Sequence, residues 1–141
     1  STDYNVIQKT ILECAEFFDI QSIAYDRWNS NSLVQQLTDK GLELDPFGQG
    51  FISMTSPIKN SEILVKRKLL HHGGHEMMRW MVSNVVTKKD DAENIKFSKA
   101  KAGDKIDGII AMIMALGEMM TMENKDVTGS STYESQGIRM L

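Results

Sequence analysis

The sequence holds one cysteine, Cys14, among 141 residues. A single thiol excludes an internal disulfide and suits a reducing compartment. No signal peptide stands at the start, and no apolar run reads as a membrane span: residues 106–122 are too few and carry Asp107 and Glu118. A Walker-type phosphate loop is missing as well. Gly48-Gln49-Gly50 lacks both the spacing and the lysine, so it reads as a hinge-like loop, and ATP hydrolysis by this chain is not expected. Strong net charge is absent too; at −3 the balance alone argues against nucleic acid.

What is present is one domain's worth of chain, long enough to bury a core. Its composition, 41% hydrophobic and 25% charged, is that of an ordinary soluble globular protein. The charges are unevenly spread. Residues 59–105 hold 11 Lys and Arg against 6 acids, a local balance of +5, which leaves −8 for the rest. A basic middle between acidic ends is what a polyanion-binding face beside a carboxylate site needs. The same charges also suit a mixed solvated surface.

The most apolar stretch follows Lys105-Ile106-Asp107-Gly108. Ile106, Ile109, Ile110, Ile113, Leu116 and Met120 keep helical spacing, which predicts a helix buried on most sides and running to Met122. Asp107 sits at its first turn, just beyond the edge of the stripe. A carboxylate there is favoured by the helix macrodipole, as Asp104 also could be. Otherwise it meets solvent in a cleft, binds a cation, or bears a heavy desolvation cost.

Upstream, Ser1-Thr2-Asp3 offers helix caps, and Tyr4, Ile7, Ile11, Cys14, Ala15 and Phe18 repeat at helical spacing. Cys14 therefore reads as core. Ile20-Gln21-Ser22-Ile23-Ala24-Tyr25 is β-prone, with Asp26 at its carboxyl end, where α/β sheets collect ligands; an Asp there also opens turns. A helix from about residues 29–32, with Leu33, Val34 and Leu37 inward, stops at Gly41. Leu42-Glu43-Leu44-Asp45 alternates as a second strand closed by Pro46. Helix, strand, helix, strand at this spacing implies parallel pairing. A further helix spans about residues 54–70, with Met54, Ile58, Val65 and Leu69 on one side and Lys59, Lys66 and Lys68 toward solvent or a ligand. His71-His72-Gly73-Gly74-His75 reads as a polar turn rather than a zinc site, because the paired glycines interrupt the i, i+4 histidines and no cysteine is near. Met77, Met78, Trp80 and Met81 read as core on a short helix. Residues 84–87 and 95–97 form a hairpin, and residues 123–136 a mobile polar tail.

Four stretches, in order and at matching spacing, resemble the carboxyl-terminal nuclease domain of the large terminase subunit of tailed bacteriophages. They are Ala24-Tyr25-Asp26-Arg27-Trp28-Asn29, His72-Gly73-Gly74, Arg79-Trp80-Met81-Val82-Ser83-Asn84-Val85 and Lys105-Ile106-Asp107-Gly108; Tyr133-Glu134 with Gly137 is similar to the family's end. Glu76, where many relatives have proline, and His71, where they often have a basic residue, depart from the pattern. The resemblance implies an α/β, ribonuclease H-like fold with helices packed on a mixed sheet. It also implies metal-dependent cutting of concatemeric DNA during genome packaging, in the cytoplasm of the infected bacterial host. The family acids fall on Asp26 and Asp107, as catalytic residues and ligands of Mg²⁺ or Mn²⁺. Two-metal cleavage needs carboxylates converging on ions about 3.5–4 Å apart. Lys59, Lys66, Arg67, Lys68 and Lys105 are the expected contacts to double-stranded DNA. Portal protein and the small terminase subunit are the implied partners, and homo-oligomers are expected. Family members carry a further acid on a strand upstream of the first helix, so the chain reads as a truncated nuclease domain over residues 1–122 with a tail at 123–141, weakly active and without its ATPase motor. A non-catalytic DNA- or portal-binding assembly module is the alternative, and a junction resolvase a weaker third.

Overall fold

A computed structural model describes residues 2–28 and 31–139, with side chains at 2–28 and 32–126. Ser1 as a cap, Asn29 and the side chains of Tyr133 and Glu134 lie outside the described residues. The chain divides into two compact units, Ser1–Gln49 and Gly50–Leu141.

The first unit is α1 (Tyr4–Phe17), β1 (Ile23–Tyr25), α2 (Asn31–Asp39) and β2 (Leu44–Pro46). Asp3 caps α1 by accepting the Asn5 N–H, one of the orphan donors of a first turn. α2 ends in a left-handed cap, with Gly41 at φ +90° and the Leu42 N–H donating to the Leu37 carbonyl, a geometry glycine adopts without steric cost. β1 and β2 pair in parallel, Ile23 beside Leu44 and Ala24 beside Asp45, as the helix–strand alternation predicts. Leu37 is fully buried where α2 meets α1 and β2. Cys14, expected in the core, is exposed. α1 packs only its Ile7, Ile11, Leu12 and Ala15 side even half-buried, so the thiol's flank of the stripe is left outside.

The second unit is α3 (Phe51–Lys66), α4 (Glu76–Ser83), β3 (Val85–Lys89), β4 (Ile95–Lys99) and α5 (Asp107–Arg139). Its core forms where α3 and β4 pack together and α5 lies along α3; Met54, Ile58, Ile95, Ile106, Ile109, Ile113 and Met114 are buried there. Pro57 sits inside α3 and costs the helix a backbone hydrogen bond, about 3 kcal/mol. Burial of Met54, Pro57 and Ile58 on the α5 side offsets that cost. The Thr55 hydroxyl takes the Ile95 N–H at 2.8 Å, tying β4 to α3.

Several expectations are corrected here. Gly50 is the N-cap residue of α3, so the helix starts earlier than expected and ends at Lys66; Val65 and Leu69, read as inward, are exposed. Met77 and Trp80 of α4 are also exposed, because an eight-residue helix turns only one side, Met78 and Met81, toward α5. Among the described residues the strands form two separate two-stranded sheets, one parallel and one antiparallel, instead of a single mixed sheet. The polar stretch after Met122 is helix in its backbone as far as Arg139.

Candidate functional site

Asp26 follows the last residue of β1 directly, at the carboxyl end of the parallel pair. It is half-buried, and its Oδ1 accepts the Trp28 N–H at 3.3 Å. The strand puts the carboxylate at the end of the sheet, and this local bond turns the chain away toward α2.

Asp107 is the first residue of α5 and is exposed. It therefore bears no large desolvation cost, and of the alternatives open in the sequence the solvated ones remain. Asp104 serves the loop instead, since its carboxylate takes the Lys101 N–H at 2.8 Å and closes the turn before α5. The backbone on either side of Asp107 is held from α4. The Gly108 N–H points at Met81 Sδ at 3.2 Å. Asn84, at the C-cap of α4 and buried, donates its Nδ2–H to the Lys105 carbonyl at 3.1 Å. Gly108 permits this approach, since a Cβ there would lie 2.8 Å from Met81 Cε and 3.1 Å from Met78 Sδ. Sequence reading missed Asn84 and Met81 in these roles. Both stand in the Arg79–Val85 stretch, but nothing local signals a bond 21 or 27 residues away.

The basic residues cluster at the end of α3. Lys66 closes its last turn, Arg67 is its C-cap residue, and Lys68 adopts φ +57°. The Leu69 N–H bonds the Leu64 carbonyl and the Lys68 N–H that of Val65, so Lys68 occupies the left-handed position where helices favour glycine. Such a side chain costs about 1–2 kcal/mol in backbone strain. Lys59, Lys66, Arg67, Lys68 and Lys105 are exposed, and among the described residues none makes an ion pair. For Lys66, Arg67 and Lys68, at the carboxyl end of α3, the positive charge also suits the helix macrodipole.

Among the described residues no three His, Cys, Asp or Glu side chains gather as a metal group. The histidines form the expected turn: His72 Nδ1 accepts the His75 N–H, with Gly73 and Gly74 at positive φ. Asp26 lies in the first unit and Asp107 in the second. As hard oxygen donors, the two suit Mg²⁺ or Mn²⁺, which commonly binds one or two carboxylates and completes its shell with water and substrate phosphate. A groove of about 300 Å³ opens in the second unit between Val65, Val82, Val85, Phe97, Ile109 and Met112. Its lining is mainly apolar, with Ser61, Glu62 and Lys66 beside those residues, and includes neither Asp26 nor Asp107.

Residues 1–123 match the family model of the terminase large subunit endonuclease domain. The chain is 36% identical over 119 residues to the terminase large subunit of Enterobacteria phage HK97, covering 83% of this chain and 24% of that protein. It is 33% identical over 143 residues to protein YmfN of Escherichia coli K12, covering 99% of this chain and 31% of that protein. The chain thus spans about a quarter to a third of the length of these curated relatives. The crystal structure of the HK97 large terminase superposes with a TM-score of 0.74 at 36% identity, over 84% of this chain and 25% of that one. The large terminase nuclease of the thermophilic phage G20c shares the fold at 14% identity, with a TM-score of 0.62 over 83% of this chain and 62% of that one.

Proposed function

The chain belongs to the terminase large subunit endonuclease family, and from that premise we propose that it is a metal-dependent nuclease domain that cuts concatemeric DNA during phage genome packaging, with Asp26 and Asp107 as its metal-binding acids. The observation that carries the reading is the place of Asp26, immediately beyond the carboxyl end of a strand in a parallel pair, where open α/β sheets bind ligands. Asp107 supports it by standing exposed at a first helical turn whose backbone is pinned on both sides. Mg²⁺ or Mn²⁺, when bound, supplies Lewis-acid polarisation of the phosphate and an activated water. The chain's part is to present carboxylates as ligands and to hold the duplex. The ribonuclease H-like identity of the complete domain, the partnership with portal protein and small terminase subunit, homo-oligomerisation and a host-cytoplasm location belong to the same proposal. No described helix is long and apolar enough to cross a membrane.

The test is plasmid nicking with Mn²⁺ by a full-length subunit carrying this domain, wild type against Asp26→Asn. Loss of nicking with the fold intact is expected, while undiminished nicking removes Asp26 from the site. The second reading, an assembly module that binds DNA or portal without cutting, is favoured by the absence of a three-ligand metal group among the described residues. It requires that the full-length subunit bind no Mn²⁺ at these acids.

Duplex contact is assigned to Lys59, Lys66, Arg67, Lys68 and Lys105. Replacing Lys66, Arg67 and Lys68 with Ala should weaken binding equally for all sequences and flatten the salt dependence, by about one unit of log–log slope for each phosphate no longer neutralised. Lys68→Gly adds a sharper arm. It relieves the left-handed strain and should raise stability, yet should weaken DNA binding if the lysine is kept there for its charge. Unchanged affinity and slope in the triple variant would leave the end of α3 as solvated surface.

A further inference from the structure

The residue at the N-cap position of α5 offers no side-chain oxygen. That residue, Ile106, is buried and aliphatic, so its side chain cannot accept the exposed N–H groups that every helix start presents. The first turn is held instead by two side chains from the end of α4. Met81 Sδ accepts from the Gly108 N–H, and Asn84 Nδ2 donates to the Lys105 carbonyl. One contact lies two residues before Asp107 and the other one residue after it. Asn84 is in turn anchored from behind, since its own carbonyl takes the Ala100 N–H at 2.8 Å. Gly108 completes the arrangement, because any Cβ there would drive the thioether away.

We propose that Met81 and Asn84 are positioning residues: together they clamp the backbone around Asp107 and so set the direction of its carboxylate. The proposal rests on the reading of Asp107 as a metal ligand. An exposed residue at a helix start otherwise frays, and a ligand must be held to within about half an ångström to be useful. The clamp also accounts for the Arg79–Val85 stretch, whose Met81 and Asn84 face α5 and its approach loop while Trp80 and Val82 stay exposed.

Two variants test it. Asn84→Ala removes the donor to Lys105, and Met81→Leu keeps the volume while removing the sulfur acceptor, so it serves should Asn84→Ala not fold. In the 141-residue chain, amide hydrogen exchange should quicken at residues 107–110 and stay unchanged at residues 113–118. In a full-length subunit carrying this domain, Mn²⁺ affinity should fall about 10- to 100-fold, the usual effect of losing a group that orients a ligand. Faster exchange along the whole of α5 with unaltered Mn²⁺ affinity would mark the two as ordinary packing residues and overturn the proposal. Wild-type binding of Mn²⁺ with both variants unaffected overturns the clamp alone. A wild-type subunit that binds no Mn²⁺ overturns the nuclease reading of Asp107, and the clamp's role with it.

Discussion

Asp107→Asn in a full-length subunit carrying this domain is expected to leave the fold standing and to lower Mn²⁺-dependent DNA cleavage by about 10²- to 10³-fold, as when one preorganised electrostatic partner of a reaction is removed. The substitution keeps the shape of the side chain and removes its charge. Since Asp107 is exposed, its structural contribution is limited to the macrodipole, about 0.3–1 kcal/mol at a first turn. That amounts to a few degrees of melting temperature at most for a chain of this size. Where other acids crowd the site without a cation, removing one charge raises stability instead. An acid kept for the fold gives the opposite pattern, with stability lost and cleavage retained in whatever remains folded. Thermal melting without metal, beside plasmid cleavage with Mn²⁺, separates the two. A variant that melts far lower yet still cuts ends the assignment of Asp107 to the site.

Ile113→Ala should produce the reverse signature. Ile113 and Ile58 are 0% exposed, on α5 and α3, whose packing builds the core of the second unit. Truncating such a residue removes its transfer free energy and leaves a cavity, at a cost of about 2–5 kcal/mol. A domain has only about 5–15 kcal/mol of stability in total, so denaturant midpoints should fall steeply. Val65→Ala is the matched control: Val65 is 59% exposed on the same α3, and its truncation should cost no more than about 0.5 kcal/mol. Equal losses at Ile113 and Val65 would mean that α3 and α5 do not bury the residues described. Activity per folded molecule is expected to survive Ile113→Ala, unlike Asp107→Asn.

Local chemistry made much of this protein legible. The 3.6-residue period of Ile106, Ile109 and Ile113 announces α5, and Gly41 announces the end of α2, because both are properties of a few consecutive residues. The parallel pairing of β1 with β2 follows from the helix between them. Asp26 stands at a strand end because the residues before it are β-prone. What the sequence could not decide is which side of each amphipathic helix would find a partner. Cys14, Val65, Leu69, Met77 and Trp80 carry the pattern of core residues yet are exposed, because periodicity records a stripe and only packing determines how much of it is covered. Nor could it place Thr55 on Ile95, Asn84 on Lys105 or Met81 on Gly108. Those bonds join residues 21 to 40 positions apart, and such pairs exist only once α3, α4 and α5 have packed and brought their backbones within hydrogen-bond reach.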